Sequence, residues 1–506
     1  MCVPVAVAVT LAAVACGGQT ARESGGSAEG SSGSSGRGGQ SSEAPGGQAA
    51  LAGNEPGNGG HGAEVTGGRG GQGGVSIPPQ CRGALVFAEP IVESAVRWAV
   101  PDAPSELAVV DVWDVTDLEL DSAGVADLDG IDCLLGLTSL GLCNNDITDV
   151  SPLSELPSLA RLELCQNDIG DVGALASLDT LIELGLTDNP LTDLTGLEAL
   201  TGLDTLRLCE NGIRDLEPLE TLAALTHLSL DHNDISDLDA LANLSNLAEL
   251  DLEYNRISNL SPLAGLTAIQ YLRLRDNRVS DLRPLAGLTA LRGLSLRDNA
   301  VADLTPLRTL TALEHLYLSG NAITDLSPLG GLGALTALYL DGNGSISDFS
   351  PLANLSLDSL DLARTNLVDL NRLPALDSLI SITLSENRIH DLTPLERFTS
   401  LSSVYLEDNE ITDLAPLSTL DGLYLLWLDD NSITDLTPLS GLANLEWIEL
   451  RDNRVTNLYP LVQNPGLGSG DRVSLQGNPL DCDSQADHIA ALVERGVLLG
   501  TDCPQP

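Results

Sequence analysis

From Leu118 to Asn478 the chain repeats a single pattern of hydrophobic and polar residues with a period of 22 residues. Written out, the pattern is LxxLxLxxNxIxDLxPLxxL, and the segment from Leu225 to Leu238 is a clear instance of it. In the central LxL, leucine alternates with an outward residue, which is the period-2 pattern of a short strand with one buried face. A repeat of this length, sustained over roughly 360 residues, predicts a stack of similar coils rather than several globular domains.

The asparagine of the pattern keeps its register along the stack. Thr365 replaces it once, and an extra residue after Asn343 is offset by a deletion after Leu355. An asparagine side chain offers two N–H donors and one acceptor, so it can satisfy backbone groups where the chain turns inside the stack. We therefore expect a ladder of asparagine side chains. The column comprises Asn145, Asn167, Asn189, Asn211, Asn233, Asn255, Asn277, Asn299, Asn321, Asn343, Asn387, Asn409, Asn431 and Asn453.

This repeat resembles the leucine-rich repeat family, in the 22-residue bacterial form familiar from internalins. The resemblance implies an α/β solenoid of about 16 coils, a curved rod with a parallel β-sheet on its concave face and short helical turns on its convex face. A single coil is too small to bury its own leucines, which is why coils must stack. The resemblance also implies protein recognition. We expect no enzymatic activity and no cofactor, because the chain has no nucleophile elbow, phosphate loop or metal motif.

A second polar column lies four residues after the asparagine. Calcium ions held between successive coils are one interpretation. The other is that each side chain accepts a backbone N–H bond at the start of a convex turn, and the presence of asparagine at two positions favours it. The column comprises Asp149, Asp171, Asp193, Asp215, Asp237, Asn259, Asp281, Asp303, Asp325, Asp348, Asp369, Asp391, Asp413, Asp435 and Asn457.

The aromatic residues fall mainly on outward strand positions, where the leucine core does not need them. Such residues are enriched at binding hot spots, although they also suit strands and stack on their neighbours. An aromatic centre with an acidic rim suits a basic protein or peptide, while a carbohydrate ligand would use the same rings. We predict that the ligand-binding residues are Tyr317, Tyr339, Tyr405, Trp427, Trp447, Asp429 and Glu449.

A second zone of the same face is charged. It places an acidic stripe beside a basic one, and such groups commonly pair across neighbouring strands. The zone comprises His227, His232, Glu249, Asp251, Glu253, Arg273, Arg275 and Arg297.

The N-terminus carries an export-type segment. Val3 to Ala15 is an apolar run of small residues that is too short to span a bilayer, and it ends at Cys16. The sequence around Cys16 is similar to a lipobox, so we interpret residues 1–16 as a lipoprotein signal with Cys16 lipidated. A plain secretory signal, or none, is the alternative. Residues 17–80 are Gly/Ser-rich and hold almost no large apolar side chain, which predicts a disordered linker.

Polar lids are expected at both ends of the stack, which comprises residues 118–478. Residues 81–117 form the N-terminal cap, with a helix that starts near Pro90 and stops before Pro101. Residues 479–506 resemble a repeat C-terminal flank, with a helix that starts at a capping box from Ser484 to Asp487 and ends at Gly496.

The cysteines suit an exported protein with disulfide-closed caps. We expect Cys482 to pair with Cys503 in the C-terminal cap and Cys81 to pair with Cys133 in the N-terminal cap. Cys143 and Cys165 occupy the same strand position on adjacent coils, within disulfide range. Whether they form a bridge, and how Cys209 is engaged, stays open.

The composition restricts the partners. The chain has 72 acidic residues, 24 arginines and no lysine, giving a formal net charge of −48. Phosphate backbones and anionic headgroups would repel it, so we expect no nucleic-acid partner and membrane attachment only through a lipid anchor. The sequence thus predicts a monomeric protein of the bacterial cell envelope or outer surface that binds a protein through its concave face. The alternatives are a carbohydrate-binding surface protein and an intracellular scaffold like the repeat regulators of protein phosphatases.

Overall fold

The computed structural model describes residues 77–344 and 346–505. The predicted signal segment with Cys16, and the Gly/Ser-rich stretch up to residue 76, lie outside these ranges. Within them, 18 strands of three residues each form one parallel sheet in which every strand pairs with the next along the chain. The strands are β1 (Asp117–Glu119), β2 (Ser139–Gly141), β3 (Arg161–Glu163), β4 (Glu183–Gly185), β5 (Thr205–Arg207), β6 (His227–Ser229), β7 (Glu249–Asp251), β8 (Tyr271–Arg273), β9 (Gly293–Ser295), β10 (His315–Tyr317), β11 (Ala337–Tyr339), β12 (Ser359–Asp361), β13 (Ser381–Thr383), β14 (Ser403–Tyr405), β15 (Leu425–Trp427), β16 (Trp447–Glu449), β17 (Arg472–Ser474) and β18 (Leu498–Gly500).

The register of the sheet follows the repeat. Leu228 pairs with Leu250, and Leu250 with Leu272, each 22 residues further along. The middle residue of every strand is buried, and the first and third residues point to the opposite surface, which we call the strand face. The core is almost entirely aliphatic, and Phe349 and Phe398 are its largest fully buried side chains.

Short helical turns cover the side opposite the strand face. Nearly all are 3₁₀-helices, and most carry proline in their first turn, where its fixed φ fits. They span Pro79–Cys81, Ile131–Cys133, Ser151–Glu155, Gly173–Ser177, Leu197–Ala199, Glu217–Leu219, Asp239–Leu241, Ser261–Gly265, Arg283–Gly287, Thr305–Thr309, Ser327–Gly331, Ser350–Asn354, Leu370–Arg372, Thr393–Arg397, Ala415–Thr419 and Thr437–Gly441.

The predicted asparagine ladder is confirmed. Asn233 is buried, and its side-chain N–H groups donate to the carbonyls of Leu208 in the preceding coil and Leu230 in its own, at 2.9 and 3.0 Å. Its oxygen accepts the N–H of Ile213 at 3.0 Å. At the exception, the Thr365 hydroxyl donates to the Leu362 carbonyl of its own coil, at 2.7 Å. Each asparagine therefore stitches two coils together, a link that threonine does not reproduce.

Four α-helices complete the described part: α1 (Pro90–Ala99), α2 (Val109–Val112), α3 (Tyr459–Gln463) and α4 (Cys482–Glu494). The predicted helix before Pro101 is present as α1. The predicted capping box is wrong, because α4 starts at Cys482 with Asp481 as its N-cap residue, so that Ser484 lies inside the first turn and donates to the Asp481 carbonyl. The structure contains the disulfides Cys81–Cys133 and Cys482–Cys503, and it also joins Cys143 to Cys165. None of the described helices has the length and apolar character needed to cross a membrane.

Candidate functional site

Three aromatic side chains from consecutive strands meet on the strand face, and we call them the aromatic cluster. Tyr405 and Trp427 are paired residues of β14 and β15, with ring centroids 5.0 Å apart in an edge-to-face arrangement. Trp447 opens β16, and its ring lies 5.8 Å from that of Trp427. All three are half-buried, because each ring covers part of its neighbour. The cluster is a continuous apolar surface that the leucine core does not use.

Glu449 supports this cluster from below. Its side chain is only 6% exposed, and its carboxylate accepts the Trp447 indole N–H at 2.5 Å. The other oxygen lies 2.9 Å from an Arg451 guanidinium nitrogen. From the next strand, β17, the Arg472 guanidinium lies 4.7 Å from the centre of the Trp447 ring. Glu449 therefore orients Trp447, rather than belonging to an exposed acidic rim.

Asp429 is also engaged by Arg451. It accepts the Arg451 backbone N–H at 2.6 Å and lies 3.3 Å from a guanidinium nitrogen. Burial raises the pKa of Asp429, and burial likewise raises the pKa of Glu407, whose carboxylate accepts the Ser385 hydroxyl. One arginine, Arg451, thus contacts two carboxylates, those of Asp429 and Glu449.

The Trp427 indole N–H is buried and has no hydrogen-bond partner among the described residues. A buried donor without an acceptor costs on the order of 1–3 kcal/mol. Trp427 is the central ring of the aromatic cluster, so the penalty falls in the middle of this surface. A partner that displaces the neighbouring rings slightly and supplies an acceptor would recover this free energy.

The other two predicted aromatics form a separate pair. The rings of Tyr317 and Tyr339 are stacked, with centroids 4.7 Å apart. Arg297 lies against both rings, with its guanidinium carbon 4.8 and 5.2 Å from their centres. In the strand register, Asp361 and Thr383 separate Tyr339 from Tyr405. The five aromatic residues predicted as one site therefore form two groups on the strand face, with Trp447 in the first-residue column and the other four in the third-residue column.

The charged zone is largely paired, as expected from its alternating signs. Arg273 lies 3.5 Å from Asp251, and the Ser295 hydroxyl donates to Glu253 at 3.1 Å. Burial raises the pKa of Asp251 to about 7, and it also raises the pKa of Glu253. These carboxyl groups are retained in an environment that disfavours their charge.

Among the described residues, a single group of three side chains has the spacing of metal ligands: Cys81, Asp132 and Cys133. Its two cysteines are joined to each other. A disulfide sulfur is not a thiolate, so this group does not have the ligand chemistry of a zinc site.

Sequence reasoning missed three features of this face: the buried position of Glu449, the unpaired N–H of Trp427, and the contact of Arg297 with the two tyrosines. The last could have been found. Arg297 lies two places before its asparagine and Tyr317 four places before the next one, which makes them diagonal neighbours on adjacent strands.

Comparisons with known proteins agree with this architecture. A family model described as leucine-rich repeats (two copies) matches residues 223–265 and 311–354. An internalin, InlF from Listeria monocytogenes, is 29% identical with a TM-score of 0.53, and the match covers 72% of this chain and 95% of that one. Among curated proteins none matches the chain.

More distant structures share the fold. The functional domain of InlJ from Listeria monocytogenes, which includes a cysteine ladder, is 22% identical with a TM-score of 0.56, over 77% of this chain and 80% of that one. The plant peptide hormone receptor RGFR1, solved in complex with RGF2, is 19% identical with a TM-score of 0.51, over 72% and 67%. With the single parallel sheet, its register and its asparagine ladder, these matches show that the chain folds as a leucine-rich repeat solenoid.

Proposed function

We propose that this protein binds a protein partner through the strand face of its repeats, with the aromatic cluster of Tyr405, Trp427 and Trp447 at the centre of the contact. The observation that carries the proposal is the contiguous packing of these three rings across β14, β15 and β16. Rigid aromatic side chains bury much area at little entropic cost, and they dominate many interfaces.

The surroundings of the cluster support a partner with basic groups. Asp408 and Asp430 are exposed beside it, while Asp429 and Glu449 share Arg451. The rim therefore keeps a net negative charge, which attracts a basic surface and steers its approach. The RGFR1 structure, solved with a bound peptide hormone ligand, supports the same use of this fold.

Export belongs to the proposal and has its own support. Three disulfides in the described part suit an oxidising compartment, and the segment before Cys16 has signal-like composition. We propose lipidation at Cys16 and a place on the bacterial surface. Metabolic labelling with a fatty-acid analogue tests this: a wild-type protein without label, or a Cys16→Ser variant that keeps it, would refute lipidation and revive the intracellular scaffold.

The binding test compares wild type with a Tyr405→Ala/Trp427→Ala/Trp447→Ala variant as immobilised baits for surface proteins. We expect the triple variant to lose its specific partners, with affinities at least about 100-fold weaker, because each ring is a candidate hot spot. The matched control is Trp98→Ala, since Trp98 is 91% exposed on α1 and remote from the strand face in sequence.

Equal capture by wild type and the triple variant would show that the proposed site is wrong. Circular dichroism and thermal unfolding of each bait verify that the fold is retained. A glycan array probed with wild type and Trp427→Ala separates the carbohydrate alternative: glycan binding that disappears with the substitution, without protein capture, would replace the protein partner by a sugar.

A further inference from the structure

A recess of about 430 Å³ opens beside the stacked tyrosines, apart from the aromatic cluster. Three arginines line it, from three different coils, together with three aspartates and one serine. The polar residues that matter here are Arg275, Arg297, Arg364, Ser319, Asp341 and Asp361.

Two of the three arginines are compensated by carboxylates of the same recess. Arg275 lies 3.4 Å from Asp298, and Arg364 lies 2.7 Å from Asp341. Arg297 differs: within the described residues it has no ion-pair partner, and its guanidinium is held by the faces of two tyrosine rings. Stacking fixes the position of this cation without neutralising it.

Two hydrogen-bond donors at this point lack an acceptor. Ser319 is only 6% exposed, and its hydroxyl has no partner among the described residues. The same holds for the buried Nε of Arg297. Both residues lie two places before their asparagines, Asn299 and Asn321, so they are neighbours in the same column of adjacent coils, about 4.8 Å apart along the stack. Such unpaired donors are expensive unless something supplies an acceptor.

We propose that this recess binds a carboxylate. The carboxylate accepts hydrogen bonds from the Arg297 guanidinium and from the Ser319 hydroxyl, once the Ser319 side chain has rotated about its Cα–Cβ bond. A planar monoanion matches one guanidinium fork and one hydroxyl. A phosphate dianion fits less well, because Arg297 is, within the described part of the chain, the one arginine of the recess without an ion-pair partner and Asp361, on which its charge acts, faces the same space. A cation is disfavoured by the guanidinium of Arg297.

The site does not depend on the proposed protein partner at the aromatic cluster, since it has its own donors and its own test. In a ligand protein the carboxylate could be an acidic side chain or a chain terminus. N-acetylglycine mimics the terminus and the α-amide of N-acetylaspartate, which keeps its side-chain carboxylate, mimics the side chain, so a comparison of the two separates these sources.

The experiment follows the Arg297 Nε–H signal of the full chain by ¹H–¹⁵N NMR, assigned by its absence in Arg297→Gln. Sodium acetate is the probe, with sodium chloride at equal ionic strength as its reference. We expect a saturable shift with acetate and not with chloride, and an affinity about five-fold weaker in Ser319→Ala, which corresponds to one hydrogen bond.

The matched control is Arg283→Gln, which removes an exposed arginine paired with Asp281 on a convex turn and should leave the acetate shift unchanged. A shift of equal size with chloride, or an affinity that Ser319→Ala does not change, would overturn the proposal. Because Ser319→Ala removes a single oxygen, its effect can be measured even if Arg297→Gln folds poorly.

Discussion

Aspartates on the two sides of the stack of coils experience opposite environments. On a convex turn, Asp281 accepts hydrogen bonds from the side chain and the backbone of Arg283, which lower its pKa to about 2. On the strand face, burial raises the pKa of Asp251 to about 7 and that of Asp361 to about 6. The same side chain is favoured as a carboxylate in one place and disfavoured in the other.

This contrast separates structural from functional charge. Thirteen aspartates belong to the convex column, where they accept backbone N–H bonds at the starts of short turns and remain solvated. On the strand face, Asp251, Glu253 and Asp361 are instead kept where burial disfavours their charge. Groups held against their preferred ionisation state are enriched at functional sites. The net charge by itself is therefore a poor guide to the partner.

The largest expected effect comes from Asp251→Asn. The pKa of Asp251 is near the ordinary aspartate value of 3.8 in the unfolded chain and about 7 in the folded protein, so its contribution to stability falls as the pH rises through this window and then levels off. We expect the free energy of unfolding of wild type to fall by on the order of 2 kcal/mol between about pH 5 and pH 8 from this group. In the variant this part of the slope is absent.

Urea denaturation at the two pH values measures the slope. The groups that act on Asp251 are Glu253, Asp231 and Arg273, and all remain in the variant. Asp281→Asn is the matched control on the convex side, because a carboxyl with a pKa of about 2 stays ionised throughout this range. If Asp251→Asn kept the wild-type slope, the strand-face carboxylate would be as well solvated as the convex ones.

A smaller effect is expected at Asp435, whose carboxylate stabilises the folded protein, so that its removal lowers the free energy of unfolding. Its carboxylate accepts the backbone N–H and the hydroxyl of Thr437, at 2.9 and 2.6 Å. Asp435→Ala should lower the free energy of unfolding by about 1 kcal/mol, as for other caps, and Asp435→Asn by less than half of that. Asn259 and Asn457 already act as acceptors in this column, each at 3.0 Å. A thermal shift series decides the matter: equal losses for alanine and asparagine would mean that charge, not acceptance, is what the turn requires.

The smallest effect is expected from calcium. Convex carboxylates already accept hydrogen bonds from their own turns, and in the described part none of them belongs to a group of three potential ligands. Addition of CaCl₂ or EDTA should therefore move the melting temperature by less than about 1 °C. A rise that saturates with calcium concentration would instead show that the convex aspartates form an ion ladder.

The sequence predicted the solenoid, the asparagine ladder and the convex turns, because each rests on a local feature repeated every 22 residues. Asn233 and Leu250 can be assigned from periodicity alone, since every coil repeats the same solution. The repeat register also correctly predicted that Tyr317 lies next to Tyr339, and Tyr405 next to Trp427, at the third position of neighbouring strands.

Features that depend on side-chain direction between coils were not predictable in this way. From the sequence alone, Glu449 and Asp430 both look like exposed acidic residues at the edge of the aromatic cluster. In the structure Glu449 is buried and accepts the Trp447 indole N–H, whereas Asp430 is exposed to solvent. The predicted start of α4 was also wrong. The helix begins two residues before Ser484, at Cys482, which the disulfide to Cys503 holds in place, and Asp481 occupies the N-cap position without a side-chain hydrogen bond to the helix.

The disulfides at the two ends change how such a stack can come apart. Linear arrays of repeats commonly peel from their termini, where each outer coil has one neighbour fewer. Here Cys81–Cys133 and Cys143–Cys165 fasten the first coils, and Cys482–Cys503 fastens the last. One internal seam also differs from the rest: at Thr365 the ladder lacks its bond to the preceding coil, and the Asn366 side chain, which donates to the Gly344 carbonyl at 2.7 Å, spans the seam instead. Under mechanical load we expect the molecule to part at an internal seam such as this one rather than at its ends, into two parts that each keep a disulfide-fastened outer end.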